Sequence, residues 1–163
     1  KIKKMKKITL LCLLLSIIAM SANAQYKKGD IELEGEVSYT NIEGINSYKI
    51  APEVNIFLSE HWAIEAGISL SGNDDCHFGI SVGASYYLPI ISKLYFAPSL
   101  KAEIIFGDEN WAVGLQPKLI YELTEHLSTN LGIGYLGYGE INGANTFHFG
   151  ITDQLSWGIA YKF

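Results

Sequence analysis

Arginine is missing from all 163 residues, so every fixed cation is a lysine. Five of the twelve lysines crowd the front of the chain: Lys1, Lys3, Lys4, Lys6 and Lys7. Beyond residue 24, seven lysines face seventeen Asp and Glu, a balance of −10. Nucleic-acid binding needs a clustered basic footprint, and that balance excludes it. Cysteine is nearly absent too. Only Cys76 lies beyond residue 24, so no intramolecular disulfide can form there. Nor is there an apolar run of the ~20 residues that a spanning helix requires. The longest, Ile8 to Met20, has thirteen.

That short run has a different meaning. A lysine-rich start, a brief apolar stretch and then Ala22 and Ala24 around Asn23 make a secretory signal with a small-x-small cleavage site. Met5 is a candidate initiator, residues 1–24 are expected to be removed, and Gln25 becomes the first mature residue. Cys12 sits inside the apolar run without the small residues that precede a lipoprotein cysteine, so no lipid anchor is expected. What remains, residues 25–163, is a single exported domain.

Its dominant signal is period-two alternation, the mark of a strand with one wet and one apolar face. Ile31, Leu33, Gly35, Val37 and Tyr39 alternate with Glu32, Glu34, Glu36 and Ser38. Further apolar faces run from Tyr48 to Leu58, Trp62 to Leu70, Phe78 to Leu88, Leu94 to Phe106 and Trp111 to Leu123. The seventh is Leu127, Thr129, Leu131, Ile133 and Tyr135; the eighth is Leu155, Trp157, Ile159, Tyr161 and Phe163. Short turns are expected at Ser59–His61, Pro89–Ser92 and Thr124–His126, and longer loops at 41–47, 72–76, 107–110 and 139–145. Pro52 to His61 also aligns with Pro117 to His126 at an offset of 65 residues, half the span of eight strands. Pro52, Pro98 and Pro117 fall inside strands, where a missing N–H predicts a local bulge or a water at each.

Eight alternating strands of about ten residues fit a transmembrane β-barrel, but a soluble ligand-carrying barrel alternates as well. The composition of the two faces decides. No charge falls on any of the eight apolar faces, where it would cost ~2–4 kcal/mol at a bilayer midplane. Aromatics gather at strand ends, as membrane girdles do: Tyr39, Tyr48, Phe78, Phe106, Trp111 and Tyr135 near the loops, Trp62, Tyr86, Phe96, Tyr121, Tyr161 and Phe163 near the turns. The other face is rich in Gly and Ser, which suit a narrow lumen filled by side chains. Among them stand Glu32, Glu34, Glu36, Lys49, Glu53, Glu65, Lys101, Glu103, Lys118, Glu122 and Lys162, expected to form a buried ionic network, with Lys162 meeting Glu32 where the first and last strands join.

On these residues the chain resembles the small eight-stranded outer-membrane β-barrels of the OmpA-like and OmpX-like group. The resemblance implies an all-β, antiparallel, up-and-down barrel in the outer membrane of a Gram-negative cell. It also implies that Trp157, Ile159, Tyr161 and the terminal Phe163 serve as the address read by the barrel-insertion machinery. The expected partners are periplasmic chaperones, outer-membrane lipid and lipopolysaccharide. The protein is expected to be a monomer without a cofactor.

Chemistry-bearing groups are sparse. Asp74, Asp75, Cys76 and His77 mix hard and soft donors in a way no metal prefers and read as an acidic loop. His126, Ser128 and Glu140 echo the residues of lipid A deacylase barrels, but this topology places the histidine and the acid at opposite ends of the barrel. No catalytic or metal site is therefore expected. Glu43, Asp74, Asp75, Asp108, Glu109 and Glu140 give the loop end an acidic rim that could bridge divalent cations to lipopolysaccharide. The leading expectation is a non-enzymatic barrel with a structural or surface-interaction role. The alternatives are a small channel, a barrel-embedded lipid-modifying enzyme and, last, a soluble lipocalin-like carrier.

Overall fold

The computed structural model describes residues 26–42, 45–72, 76–106, 110–141 and 144–163. Those residues build nine strands: β1 (Ile31–Ile42), β2 (Ile45–Phe57), β3 (Trp62–Gly72), β4 (Cys76–Tyr86), β5 (Leu88–Ile91), β6 (Leu94–Ile105), β7 (Asn110–Glu122), β8 (Leu127–Ile141) and β9 (Ala144–Lys162). All pairings are antiparallel, and β1 pairs with β9 from Glu32↔Lys162 to Thr40↔Gln154, which closes the sheet. β4 and β5 both lie on β6 and share one place in the wall, so nine segments make an eight-stranded barrel.

The break between β4 and β5 has a chemical cause. Their pairing with β6 stops at Ser85↔Ser99 and resumes in phase at Leu88↔Phe96. Pro98 lies in the gap, with no N–H to give. Between the two strands Tyr87 stays tied on its other side, giving its N–H to the His61 carbonyl oxygen at 2.7 Å in register with β3–β4. In an antiparallel ladder successive residues aim their N–H groups at alternate neighbours. Pro98 faces Pro117 across an unbroken β6–β7 register, so the two missing donors fall on the outer sides. One coincides with the gap between β4 and β5; the other coincides with a register shift between Leu115 and Lys118 of β7 in their pairing with β8. Pro52 faces Gly35, and β2–β3 pairing skips it without losing phase. The bulge expected at each proline therefore occurs only beside Pro117.

Two other expectations need correction. The turn placed at Pro89–Ser92 lies later, because β5 runs to Ile91 and pairs it with Leu94 around Ser92 and Lys93. Lys93 has φ 72° while Ser92 does not turn positive, the pattern of the second central residue of a type II turn. The loop expected at 139–145 is mostly strand, since β8 and β9 stay paired out to Ile141↔Ala144. The eighth apolar face, expected from Leu155 onward, is thus part of a longer strand.

Between the rims the outward face is apolar. Ile68, Leu70, Val82, Leu100 and Trp157 are each about half exposed, whereas Glu32, Asn55 and Lys118 are buried. A water-soluble domain shows the reverse, and an apolar belt on this scale needs a nonpolar environment. Aromatic pairs mark both rims: Tyr39–Tyr48, Phe78–Phe106 and Trp111–Tyr138 at the loop end, Trp62–Tyr86 and Tyr161–Phe163 at the turn end. Tyr135 does not join the rim as expected. Gly134 adopts φ 80°, the register shifts between Ile133 and Tyr135, and the alternation slips by one. Tyr135 turns into the lumen, and Leu136 and Tyr138 take the outward places.

Candidate functional site

The lumen is built in layers. At the turn end Tyr26, just before β1, lies across the barrel mouth. Its ring stacks on Phe57 with centroids 4.3 Å apart and stands 4.9 Å from Tyr87 and 5.3 Å from Tyr95. Ala63, Ala97 and Ile120 complete this apolar floor. The Lys162 Nζ lies 4.8 Å over the Tyr26 ring, a cation–π contact. The sequence placed Phe57 and Tyr87 on the lumen face but gave them no role. What could have revealed the plug is that the inward aromatics Phe57, Tyr87 and Tyr95 all stand next to turns.

Above the floor come the charges. Glu32 is opposite Lys162 in the β1–β9 register and receives Asn55 Nδ2 at 3.2 Å and Ser128 Oγ at 3.4 Å. Lys118, from β7, reaches Glu34 at 3.0 Å and Glu36 at 2.7 Å on β1. Glu34 also accepts Asn55 Nδ2 at 3.1 Å and Asn130 Nδ2 at 2.9 Å. Lys101, from β6, meets Glu53 at 2.6 Å and Glu65 at 3.6 Å. Glu65 further accepts Ser99 at 2.8 Å and the Ser85 hydroxyl. Nearer the loop end Lys49 pairs with Glu103 at 2.6 Å, and Ser69 donates to the same carboxylate. Glu122 is buried at the floor and lines a shallow indentation with Tyr26, Glu32, Ser128, His126 and Lys162 that has no room for a water-sized sphere.

These ion pairs span the barrel. Lys118 on β7 crosses to β1, and Lys101 on β6 crosses to β2, so the partners come from strands not adjacent in the wall. Stripping a buried charge of its partner is costly; here each lysine has at least one carboxylate within hydrogen-bond reach. The glycines make room for this. A Cβ on Gly83 would sit 2.8 Å from the Lys101 Cγ, and one on Gly114 would collide with the Tyr135 ring. Tyr135, stacked on His148 at 6.4 Å, covers the upper lumen.

All eleven expected lumen residues lie on inward positions. Trp157, Ile159, Tyr161 and Phe163 are exposed along β9 and at the chain end. Ala22, Ala24, Gln25, Glu43, Asp74, Asp75, Asp108 and Glu109 lie outside the described residues. Ser128 is buried beside Glu32, while Glu140 is twelve positions further along β8, about 40 Å at ~3.3 Å per residue. A triad of His126, Ser128 and Glu140 does not assemble. Among the described residues no three His, Cys, Asp or Glu come close enough to hold a metal ion.

No protein-family model matches the chain, and no curated protein matches it in sequence. Solved structures do match in shape. A de novo designed transmembrane β-barrel superposes with TM-score 0.62 at 16% identity, over 85% of this chain and 98% of the other. The N-terminal β-barrel domain of Pseudomonas aeruginosa OprF gives 0.56 at 12%, over 85% and 100%. The chain has the fold of the small eight-stranded transmembrane β-barrels. Neisserial surface protein A shares it, with TM-score 0.52 at 13% identity over 84% of this chain and 98% of that one. At these identities the likeness is one of fold. The barrel reads inside-out relative to a soluble carrier: charge within, hydrocarbon-compatible surface without.

Proposed function

We propose that this chain is an integral outer-membrane barrel with a structural or surface-interaction role and without catalysis. The observation that carries this reading is the pairing of an apolar exterior with a lumen bridged wall to wall by Lys118, Lys101 and Lys49. Eight strands enclose a space that side chains fill. In this reading residues 1–24 are the export signal, the turn end with Tyr26 and Phe163 faces the periplasm, and the loop end faces outward. Chaperones and the insertion machinery handle the chain in transit, and lipid and lipopolysaccharide surround it afterwards. Cell fractionation and planar-bilayer recording test the proposal together. The expected result is recovery in the outer-membrane fraction and no stable conductance. Recovery in soluble periplasm would overturn the membrane reading, and steady single-channel currents would replace the structural role with a pore.

A further inference from the structure

The two turns of the sequence repeat, Ser59–His61 and Thr124–His126, leave polar groups to spare at the turn end of the wall. Each turn uses its hydroxyl internally: Ser59 accepts from the amides of His61 and Trp62, Thr124 from those of His126 and Leu127. Each histidine uses one ring nitrogen on a neighbouring strand, His61 Nδ1 on the Tyr87 oxygen and His126 Nδ1 on the Lys162 oxygen. A carbonyl only accepts, so Nδ1 carries the proton and, in the neutral ring, Nε2 is a bare acceptor. Among the described residues neither Nε2 has a hydrogen-bond partner. The acids just before them, Glu60 and Glu125, are exposed and make no ion pair among the described residues.

The aromatic rim fixes the depth of these acceptors. The His61 ring lies 5.8 Å from the Tyr86 ring, and Tyr86 packs on Trp62 at 4.8 Å. The His126 ring stacks on Tyr161 at 5.9 Å, and Tyr161 meets Phe163 at 5.1 Å. Both histidines are thus built into the turn-end girdle, at the level where lipid headgroups lie. The β2–β3 and β7–β8 turns stand on opposite sides of the closed wall, so the two places are separate. A carboxylate beside an oriented nitrogen acceptor, neither with a donor of its own, suits a cation that carries N–H groups. A hard metal ion would want several oxygens around it, and no three metal-ligating side chains gather among the described residues.

We propose that each turn binds the primary ammonium of an ethanolamine-type phospholipid headgroup, accepted by His61 and Glu60 on one side of the barrel and by His126 and Glu125 on the other. The proposal rests on the membrane reading above, which puts headgroups at this rim. A primary ammonium has N–H donors for both acceptors and one left for water or its own phosphate. A choline headgroup carries the same charge but no N–H, so it gains the attraction of the glutamate and neither hydrogen bond. Hydrogen bonds to charged groups are the strong ones, which makes donor count, rather than charge, the basis of selection. A headgroup with phosphate and no ammonium is repelled by the glutamate.

The test uses the full mature barrel folded in detergent micelles, native mass spectrometry, and lipids of identical chains that differ only in the headgroup. Wild type should hold two phosphatidylethanolamines, each about tenfold more tightly than phosphatidylcholine, with affinity falling as N-methyl groups replace N–H. Glu60→Gln and Glu125→Gln leave the histidine clamps in place, and each should abolish the preference at one site. The double glutamine variant should bind both lipids alike. His61→Asn and His126→Asn keep an amide N–H for the strand carbonyl but lose Nε2, and should weaken the preference in the same way. Equal binding of the two lipids by folded wild type would overturn the proposal, as would an undiminished preference in the double glutamine variant. Displacement of the lipid by an equal concentration of soluble glycerophosphoethanolamine would assign the turns to free amines and overturn the lipid as occupant. Failure to insert into lipid vesicles, scored by heat-modifiable gel mobility, would instead strike the membrane reading.

Discussion

The Nδ1 of His126 lies 2.9 Å from the backbone oxygen of Lys162, and 65 residues earlier His61 holds the Tyr87 oxygen at 3.0 Å in the same way. The reverse backbone bonds, Lys162 N–H to His126 and Tyr87 N–H to His61, are both 2.7 Å. Each turn is tied by a hydroxyl as well: Ser59 accepts from the amides of His61 and Trp62, and Thr124 from those of His126 and Leu127. The sequence repeat is thus a repeated turn that clamps the neighbouring strand. Facing a carbonyl, each Nδ1 must carry the proton.

Losing either clamp should cost about 1 kcal/mol, the usual net worth of one hydrogen bond. The turns are half a barrel apart, so His61→Ala and His126→Ala should add within ~0.5 kcal/mol. Urea unfolding in lipid vesicles, followed by tryptophan fluorescence, measures both singles and the double. A double variant much worse than the sum would mean the two turns are coupled through the sheet.

Lys118 is the keystone of the ionic layer, buried between Glu34 and Glu36. Lys118→Met should destabilise by ~3–5 kcal/mol, because two carboxylates are left buried without their cation. Adding Glu34→Gln and Glu36→Gln should restore most of that loss. If the triple variant is no better than the single, lysine packing rather than charge balance is what matters at this level.

The barrel and its two faces were legible because period-two alternation is a local property, and each strand reports its own face. Strand ends and phase slips were not, since they depend on neighbours. Nothing around Pro98 announces the gap between β4 and β5; that requires knowing that Pro98 turns its missing donor to that side of β6. Tyr135 looked outward until Gly134, with its positive φ, shifted the phase by one. Asn142-Gly143 is a strong two-residue hairpin signal, and it was the readable clue that β8 and β9 extend to Ile141 and Ala144. The lumen charges were legible by face, but their partners were not. Which lysine reaches which glutamate is set by the cross-barrel geometry, as between Lys101 and Glu53, 48 residues apart.

The outward face makes its own demand. Ile80 and Leu115 are exposed in the middle of β4 and β7. A lysine at either should cost ~2–4 kcal/mol if hydrocarbon surrounds it and almost nothing in water. Folding yield into vesicles for Ile80→Lys and Leu115→Lys, scored by gel mobility, reads this directly. Wild-type yield from both would place these faces outside the membrane.

Tyr26 precedes the first strand, and burial together with the nearby Glu32 and Glu122 carboxylates pushes its hydroxyl well above the usual tyrosine range. In the unfolded chain the same phenol ionises near pH 10. Above that pH the unfolded state sheds a proton that the folded state keeps, so stability falls as pH rises. The contribution is fully present below pH ~10 and declines by about 1.4 kcal/mol per unit above it. Tyr26→Phe keeps the ring stack on Phe57 but removes the titrating group and its 3.4 Å hydrogen bond to Glu32, so at pH 8 it should cost about 1 kcal/mol. Between pH 8 and 11 it should lose about 1.4 kcal/mol less than wild type does, since the other tyrosines titrate alike in both. Parallel unfolding curves over that range would show that the Tyr26 hydroxyl ionises as freely in the barrel as in the unfolded chain, and that the floor of the lumen is wet.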